Sequence, residues 1–322
     1  MRAIHLSAYG NPVEGLGMAD VPEPKPPGAN EVLVAIEYSP LNPSDLLVAQ
    51  GAYPLRPELP SVIGNEGVGR VLAVGPGVTN VAVGDRVVPP RSSWVWRERM
   101  VIPAGGLFSL PRGADPKQLA MLAINPPTAS LLLSDYVDLN RGDFVVQNAA
   151  NSGVGRWVIA FAKTRGIKTV NIVRRAELVA DLRAAGGDVV VVDGPAVTQE
   201  IKSAVGSARI RLALDGVSGP ATGVLASLLA PDGTLVAYSA MSRSPMVLDP
   251  LAVIFSPITV TGFFMGHARW EDKIPAAIQQ AAALVAEGVK VPIAAVYHLS
   301  EIKKAVEHTL HGGKVLLDIA ER

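Results

Sequence analysis

From Phe144 onward the apolar positions fall into short, near-continuous runs: FVVQNA (144–149), TVNIV (169–173), DVVVVD (188–193), IRLALD (210–215) and GTLVAY (233–238). Between them, segments near 154–165, 176–185, 197–205 and 219–229 carry apolar residues at helical spacing. Strands that are apolar on both faces and joined by helices need a parallel sheet covered on both sides, which predicts a doubly wound α/β domain. The first third has another texture. EVLVAIEY (31–38), GRVLAVG (69–75) and DRVVPP (85–90) are short β-branched runs between turns, and more than half of the 26 prolines lie before residue 112. This predicts an all-β barrel or sandwich. Asp115-Pro116, with Gln118 three residues beyond the aspartate, marks a switch to helix. Near the end the pattern predicts an amphipathic helix over 271–287, a strand near Val296, a helix capped by Ser300 and a strand KVLLDI (314–319). Such a tail either extends the α/β sheet or returns to the β domain.

Composition narrows the function classes. With 322 residues, 49% of them hydrophobic, the chain is long enough for two domains with a core each. Lys plus Arg equal Asp plus Glu at 29 each, which removes the footprint of a nucleic-acid or anionic-membrane binder. The absence of cysteine excludes disulfides, thiolate chemistry and sulfur-based zinc sites, and it fits a reducing compartment. No basic n-region precedes an apolar segment in MRAIHLSAYG, and no apolar run approaches the ~18 residues of a membrane span. A cytoplasmic protein without a membrane partner is expected.

The first candidate chemistry lies where FVVQNA runs into Asn151, Ser152, Gly153, Val154 and Gly155. A small-residue turn between strand and helix bares backbone N–H groups at the positive end of the helix dipole, where a pyrophosphate binds. The G-x-G-x-x-G pattern is only partly kept, as Ala150-x-Ser152-x-x-Gly155, so a plain strand-to-helix turn is the alternative. Nineteen residues past Gly155 the second strand ends in Arg174-Arg175, where an NAD-binding protein carries an acid for the ribose hydroxyls. Guanidinium pairs with phosphate by bidentate, charge-assisted hydrogen bonds, so this position points to the 2′-phosphate of NADPH. A solvated arginine pair at a strand end is the competing reading.

With that turn, GNEGVG (64–69) and GDRV (84–87) in place, the sequence resembles the medium-chain dehydrogenase/reductase superfamily. Among its zinc-free members it is most similar to the 2-enoyl thioester reductases, through NPSDLLVAQGAYP (42–54), INPPTASLLL (124–133), VVQNAANSGVG (145–155), IVRRA (172–176), GTLVAYSAMSRSP (233–245) and TGFFMGHARW (261–270). The resemblance implies a GroES-like β domain over 1–122, a Rossmann domain over 123–267 and a return to the first domain over 268–322. Zinc-dependent members hold the metal with a cysteine in the segment aligned with LNPSDL (41–46) and the histidine of a GHE motif. Here Ser44 or a neighbour and Asn65 stand in those places, and amide plus hydroxyl do not make a zinc site.

The resemblance also assigns roles. Tyr53, in the loop Gly51-Ala52-Tyr53-Pro54, matches the tyrosine given catalysis in the family, and Asn42 orients nicotinamide or thioester. Asn125 and Thr128, at an expected Pro-Pro helix break, match positions near the nicotinamide ribose and substrate, with helix capping as their alternative. Tyr238, Ser239, Ala240 and Met241 follow a strand's carboxyl end, where α/β sheets place ligands. By resemblance they and Phe263, Phe264 and Met265 border the cofactor, and Lys314 lies near its phosphate. The family often has tryptophan where Phe264 stands. A homodimer formed by edge strands near 258–264 is implied. His308 and His311, three apart, read better as dipole partners at a helix end than as metal ligands, and Trp94 and Trp96 better as part of a strand than as a base-stacking strip. The expected activity is NADPH-dependent reduction of 2-enoyl thioesters of CoA or acyl-carrier protein. A zinc-free quinone or alkenal reductase and a noncatalytic NADPH-binding sensor are the alternatives.

Overall fold

The structure, a computed structural model, describes residues 1–320. Its elements follow in chain order β1 (Arg2–Leu6), α1 (Pro12–Gly15), β2 (Leu16–Asp20), β3 (Glu31–Leu41), α2 (Pro43–Ala49), β4 (Ser61–Val62), β5 (Val68–Val74), β6 (Arg86–Val87), β7 (Arg99–Pro103) and α3 (Pro116–Leu119). After these come α4 (Asn125–Ser134), β8 (Phe144–Gln147), α5 (Gly153–Arg165), β9 (Lys168–Val173), α6 (Leu178–Ala184), β10 (Val189–Val192), α7 (Val197–Val205) and β11 (Ile210–Asp215). The chain ends with α8 (Pro220–Leu228), β12 (Thr234–Ala237), α9 (Pro250–Phe255), β13 (Thr259–Gly262), α10 (Ile274–Ala286), β14 (Ala295–His298), α11 (Ile302–His311) and β15 (Val315–Asp318). Two units divide it: Met1–Ile124 with the segment from Pro275 onward, and Asn125–Ile274.

In the first unit β3 is the spine. Val32, Val34 and Ile36 alternate inward along it and are buried, as a strand with one face on a core requires. β3 pairs antiparallel with β5, β7 and β15, and a smaller sheet of order β2-β1-β4 completes the unit. The pairing of Val315 with Leu41 settles the tail: the chain end returns to the β domain. The first third is not all-β, because α1 and α2 each start where Asn-Pro (Asn11-Pro12, Asn42-Pro43) places proline in the first helical turn. Trp96 is a core residue whose indole donates to Ser39 Oγ at 2.9 Å, outside any named strand.

The second unit is a six-stranded parallel sheet of order β10-β9-β8-β11-β12-β13. Val146, Val170, Ile172, Ala213 and Leu235 pack with Ile201 of α7 and Leu225 and Leu228 of α8. Val173 and Val190 pack with Ile159 of α5 and Leu182 of α6. Neighbours such as Ile172 and Val173 thus feed opposite faces, so the inner strands are mostly apolar on both sides. Strand order reverses between β8 and β11, which makes the carboxyl ends of these two strands the switch point of the sheet.

Three local expectations are corrected. Pro126 and Pro127 do not break a helix: they lie in the first turn of α4, where the missing N–H costs nothing. The last helix is not capped by Ser300; His298 Nδ1 accepts from the Ser300 N–H and a 3₁₀ turn over Leu299–Glu301 leads into α11. The second unit runs on to Ile274 because Trp270, almost fully buried, stacks on Phe263 at 5.4 Å, and Lys273 pairs with Asp135. Among the described residues no helix is long and apolar enough to cross a membrane.

Candidate active site

The two residues expected to act in catalysis stand at opposite ends of α2. Asn42 is its N-cap. At the other end Gly51 takes φ +69° after the C-cap Gln50, its N–H reaches Val48 O at 2.9 Å, and the Ala52 N–H reaches Leu47 O at 2.9 Å. These are the two bonds of a Schellman motif, and the left-handed turn they close suits glycine. The Tyr53 N–H also reaches Leu47 O, so the tyrosine leaves the helix on a defined path. Its ring is half-buried against the core. Burial pushes the phenol above its ordinary value, Arg91 pulls it down and Asp45 pushes it up, with a net rise. At neutral pH the hydroxyl is therefore a donor.

Asn42 and Asp45 form a capping box at the start of α2, and the Asn42 amide also reaches beyond its own helix. Nδ2 donates to Glu66 Oε1 at 2.7 Å and Oδ1 accepts from Lys314 Nζ at 2.6 Å. The sheet explains the second contact: Val315 is in register with Leu41, so the next residues outward, Lys314 and Asn42, meet. Asp45 completes the capping box, with Oδ2 accepting from the Asn42 N–H at 2.7 Å, and its Oδ1 accepts from the Asn65 N–H at 2.9 Å. Glu66 Oε2 accepts from the N–H groups of Ala123 and Ile124 at 2.9 and 3.0 Å. Burial pushes Glu66 up to about 7, opposed first by Lys314, and Asp45 up to about 6, opposed first by the Asn42 N–H. Burial likewise pulls the Lys314 ammonium down against both carboxylates. The structure thus gives Lys314 an amide and two acids as surroundings within the first unit. Asn65 Nδ2 contacts Ser44 Oγ and its Oδ1 contacts Ser92 Oγ, each at 3.5 Å. Among the described residues no three His, Cys, Asp or Glu side chains gather as a metal site.

In the second unit most of the expected cofactor residues follow the carboxyl ends of parallel strands. Asn151–Gly155 follow β8, Arg174 and Arg175 follow β9, Tyr238–Met241 follow β12 and Phe263–Met265 follow β13. Ser152 caps α5, its Oγ accepting from the Gly155 N–H at 3.1 Å. A Cβ on Gly155 would lie 2.5 Å from Ala150 O, and one on Gly153 2.5 Å from Asn125 Nδ2. The turn is therefore stripped of side chains where α5 presents its free N–H groups, and Asn125 lies against it. This donor set fits a pyrophosphate. Arg174 is exposed at the end of β9, and Arg175, also exposed, pairs with Glu177 at 3.2 Å. No acid occupies the strand-end position, which fits a 2′-phosphate.

Thr128 is buried and its Oγ1 faces Met265 Sδ at 3.7 Å, bringing α4 and the segment after β13 together. The Tyr238 hydroxyl is buried beside Ser152 and Asp215, and burial pushes it up to about 12. Ser239 O accepts from Ser218 Oγ, while Ala240 and Met241 are exposed. Phe264, partly exposed, sets its ring edge-on to His267. The remaining histidine candidates have protein partners: His308 Nδ1 meets the Tyr297 hydroxyl at 3.0 Å and His311 Nδ1 meets Glu307 O at 2.7 Å.

Residues absent from the expectations hold this edge in shape. Asp215 Oδ1 accepts from Asn148 Nδ2 (2.7 Å) and from the N–H groups of Val217 (2.9 Å) and Ser218 (2.8 Å), and Oδ2 accepts from Thr222 Oγ1 (2.6 Å). Asn148 Oδ1 accepts in turn from the Gly216 N–H at 2.7 Å, tying the two strand ends of the switch point together. Gln147 Nε2 donates to Gly155 O (2.9 Å) and Asn171 Oδ1 (2.8 Å), bracing the turn between β8 and α5. The signal for them was present: Gln147, Asn171 and Asp215 are polar residues within strands buried on both faces, where a polar group needs a partner.

Comparison with known proteins agrees with this geometry. Residues 28–111 match the alcohol dehydrogenase GroES-like domain and residues 153–286 the zinc-binding dehydrogenase family. A Caenorhabditis elegans mitochondrial enoyl-acyl-carrier-protein reductase is 39% identical over 84% of this chain and 78% of its own length. The Xenopus tropicalis enzyme of that name is 35% identical over 90% of this chain and 86% of its own. The solved Etr1p/NADP/crotonyl-CoA complex is 25% identical, with TM-score 0.88 over 98% of this chain and 99% of that one. A provisional NADPH:quinone reductase from Bacillus thuringiensis is 25% identical, with TM-score 0.85 over 98% of each chain. Identity of this extent, on a GroES-like unit and a parallel-sheet unit, places the chain in the 2-enoyl thioester reductase family of the medium-chain dehydrogenase/reductase superfamily.

Proposed function

We propose that the chain reduces the C2–C3 double bond of 2-enoyl thioesters, of CoA or of acyl-carrier protein, with NADPH. The observation that carries this reading is the 39% identity over 84% of the chain to an enoyl-acyl-carrier-protein reductase. Asn151–Gly155 at the amino end of α5 would hold the pyrophosphate and Arg174 the 2′-phosphate, with Tyr238–Met241 and Phe263–Met265 beside the nicotinamide half. When bound, NADPH supplies the hydride that enters at Cβ. The chain's own work is at the thioester oxygen. As the π pair of the double bond moves toward that oxygen, the Tyr53 hydroxyl donates to it, and a proton then enters at Cα. Asn42 orients the reacting groups.

Assay of NADPH oxidation with crotonyl-CoA and with a small quinone tests the reading. Turnover of crotonyl-CoA is expected, and Tyr53→Phe lowers it by roughly 100-fold, the lower bound for losing a positioned proton donor. Turnover of quinone alone, or a Tyr53→Phe enzyme with undiminished kcat, overturns it. The likeness to the Bacillus thuringiensis protein favours the quinone reading as second, and cofactor binding without turnover of either substrate leaves the sensor.

We also propose a homodimer and a cytoplasmic location. The dimer rests on the second unit's edge strand β13, which is mostly exposed, and on α9, which buries none of its residues. The location rests on the cysteine-free composition and is tested by cell fractionation, since the relatives above are named mitochondrial.

A further inference from the structure

The amide of Asn42 lies between an acid and a base of opposite demand. Glu66 Oε1 accepts from its Nδ2 at 2.7 Å, and Lys314 Nζ donates to its Oδ1 at 2.6 Å. With Glu66 ionised, turning the amide over sets oxygen against carboxylate and N–H against ammonium, losing two charge-assisted bonds at once. Glu66 itself cannot rotate away, because its other oxygen is fixed by the N–H groups of Ala123 and Ile124. Lys314 is held by the register of β15 against β3. An asparagine at a helix N-cap would ordinarily turn its oxygen onto its own helix. Here Asp45 forms a capping box with Asn42, its carboxylate holding the Asn42 N–H, so the backbone that carries the amide is fixed as well.

We infer that Glu66 and Lys314 are positioning residues: they lock the Asn42 amide in one of its two orientations, so that its second Nδ2 hydrogen is the donor left for a bound substrate or nicotinamide. This rests on the reading of Asn42 given above. The lock is a property of three side chains whichever substrate is reduced. Preorganising a polar group through supports that are themselves rigid is what a site on a short helix requires.

Glu66→Gln and Lys314→Met, singly and together, test the lock. In Glu66→Gln the oxygen is needed by the two backbone N–H groups, so an NH₂ faces Asn42 Nδ2, and the amide clashes at that end or, when flipped, at Lys314. The expected result is a less stable protein with kcat at saturating NADPH lowered about 100-fold, the scale of a reacting group misplaced by about 1 Å. Adding Lys314→Met removes the second conflict and lets the amide flip. Stability against urea then returns toward that of Lys314→Met alone, a non-additive cycle, while kcat stays low because the flipped amide presents oxygen. A merely structural role for Glu66 would restore kcat together with stability. Additive unfolding energies, wild-type kcat in Glu66→Gln, or recovery of kcat in the double variant overturns the lock. If the wild type does not turn over crotonyl-CoA, the enoyl reading fails and the urea cycle still decides whether the lock exists.

Discussion

At the scale of single residues, the two arginines after β9 are not equivalent. Arg175 shares its charge with Glu177, both side chains being about two-thirds exposed, whereas Arg174 is exposed and has no ion pair to an acid among the described residues. A surface ion pair is worth little for stability, but its acid competes with an incoming phosphate for the same guanidinium. Arg174→Ala is therefore expected to weaken NADPH more than Arg175→Ala does. A hydrogen bond to a charged group contributes about 1.5–3 kcal/mol, so the Arg174 variant loses roughly 10- to 100-fold in Kd for NADPH. NADH, lacking the 2′-phosphate, should bind almost as before. Calorimetric titration with both nucleotides measures this, and equal losses for the two would remove the phosphate from Arg174. The arginine pair was legible because its spacing from Gly155 is local. Lys314 was not: its partner Asn42 lies 272 residues away, and only the pairing of β15 with β3 brings them together. Glu66 was half legible, since a buried acid in SVIGNEGVGR demands partners but does not say which. The partners are Asn42 and two backbone N–H groups, 24, 57 and 58 residues off.

At the scale of elements, legibility followed length. The parallel strands announce themselves because burial on both faces makes their runs mostly apolar, and the turn after β8 lies between two such signals. α1 and α2 span 4 and 7 residues, too short for a helical period to repeat, so their Asn-Pro starts were the only sign. Yet α2 is the element that carries Asn42 and launches the Tyr53 loop. The β8–α5 unit makes a sharper prediction. At Gly155 an added Cβ would meet backbone atoms of Ala150 at 2.5–2.7 Å, and backbone cannot swing aside as a flexible side chain can. Gly155→Ala must therefore push α5 away from β8, straining the Gln147–Gly155 bond. The cost is on the order of 1–3 kcal/mol, as for overpacking elsewhere. Because the displaced atoms are the N–H groups of the first helical turn, affinity for NADPH should fall with it. A urea midpoint lowered with unchanged slope, together with a raised Kd, is the expected pair of results; unchanged affinity would mean that the turn does not carry the pyrophosphate.

At the scale of the whole molecule, the second unit carries an exposed apolar surface at one edge of its sheet. β13 is an edge strand with Val260 exposed, and beside it in sequence α9 presents Leu251, Ile254 and Phe255 to solvent, Ile254 at 68% and Phe255 at 82% exposure. Met246 and Val247, just upstream, are exposed as well. An edge strand bare of charged residues and flanked by apolar side chains invites pairing with another strand, and proteins that stay monomeric blunt such edges with charge or proline. The sequence TVTG carries neither. Two copies related by a twofold axis would pair β13 with β13, each covering the other's apolar helix, and the interface closes on itself without extending into a fibre. Light scattering after size exclusion is expected to give about twice the chain mass of 33.6 kDa. Ile254→Asp with Phe255→Asp should return the mass of one chain, because two carboxylates per copy would have to lose their water in the interface. Val260→Pro tests the strand itself, removing an N–H from the edge while leaving α9 intact. A helix-driven dimer would survive the proline and a strand-driven one would not, whereas a wild type that runs as one chain at every concentration rules out edge pairing.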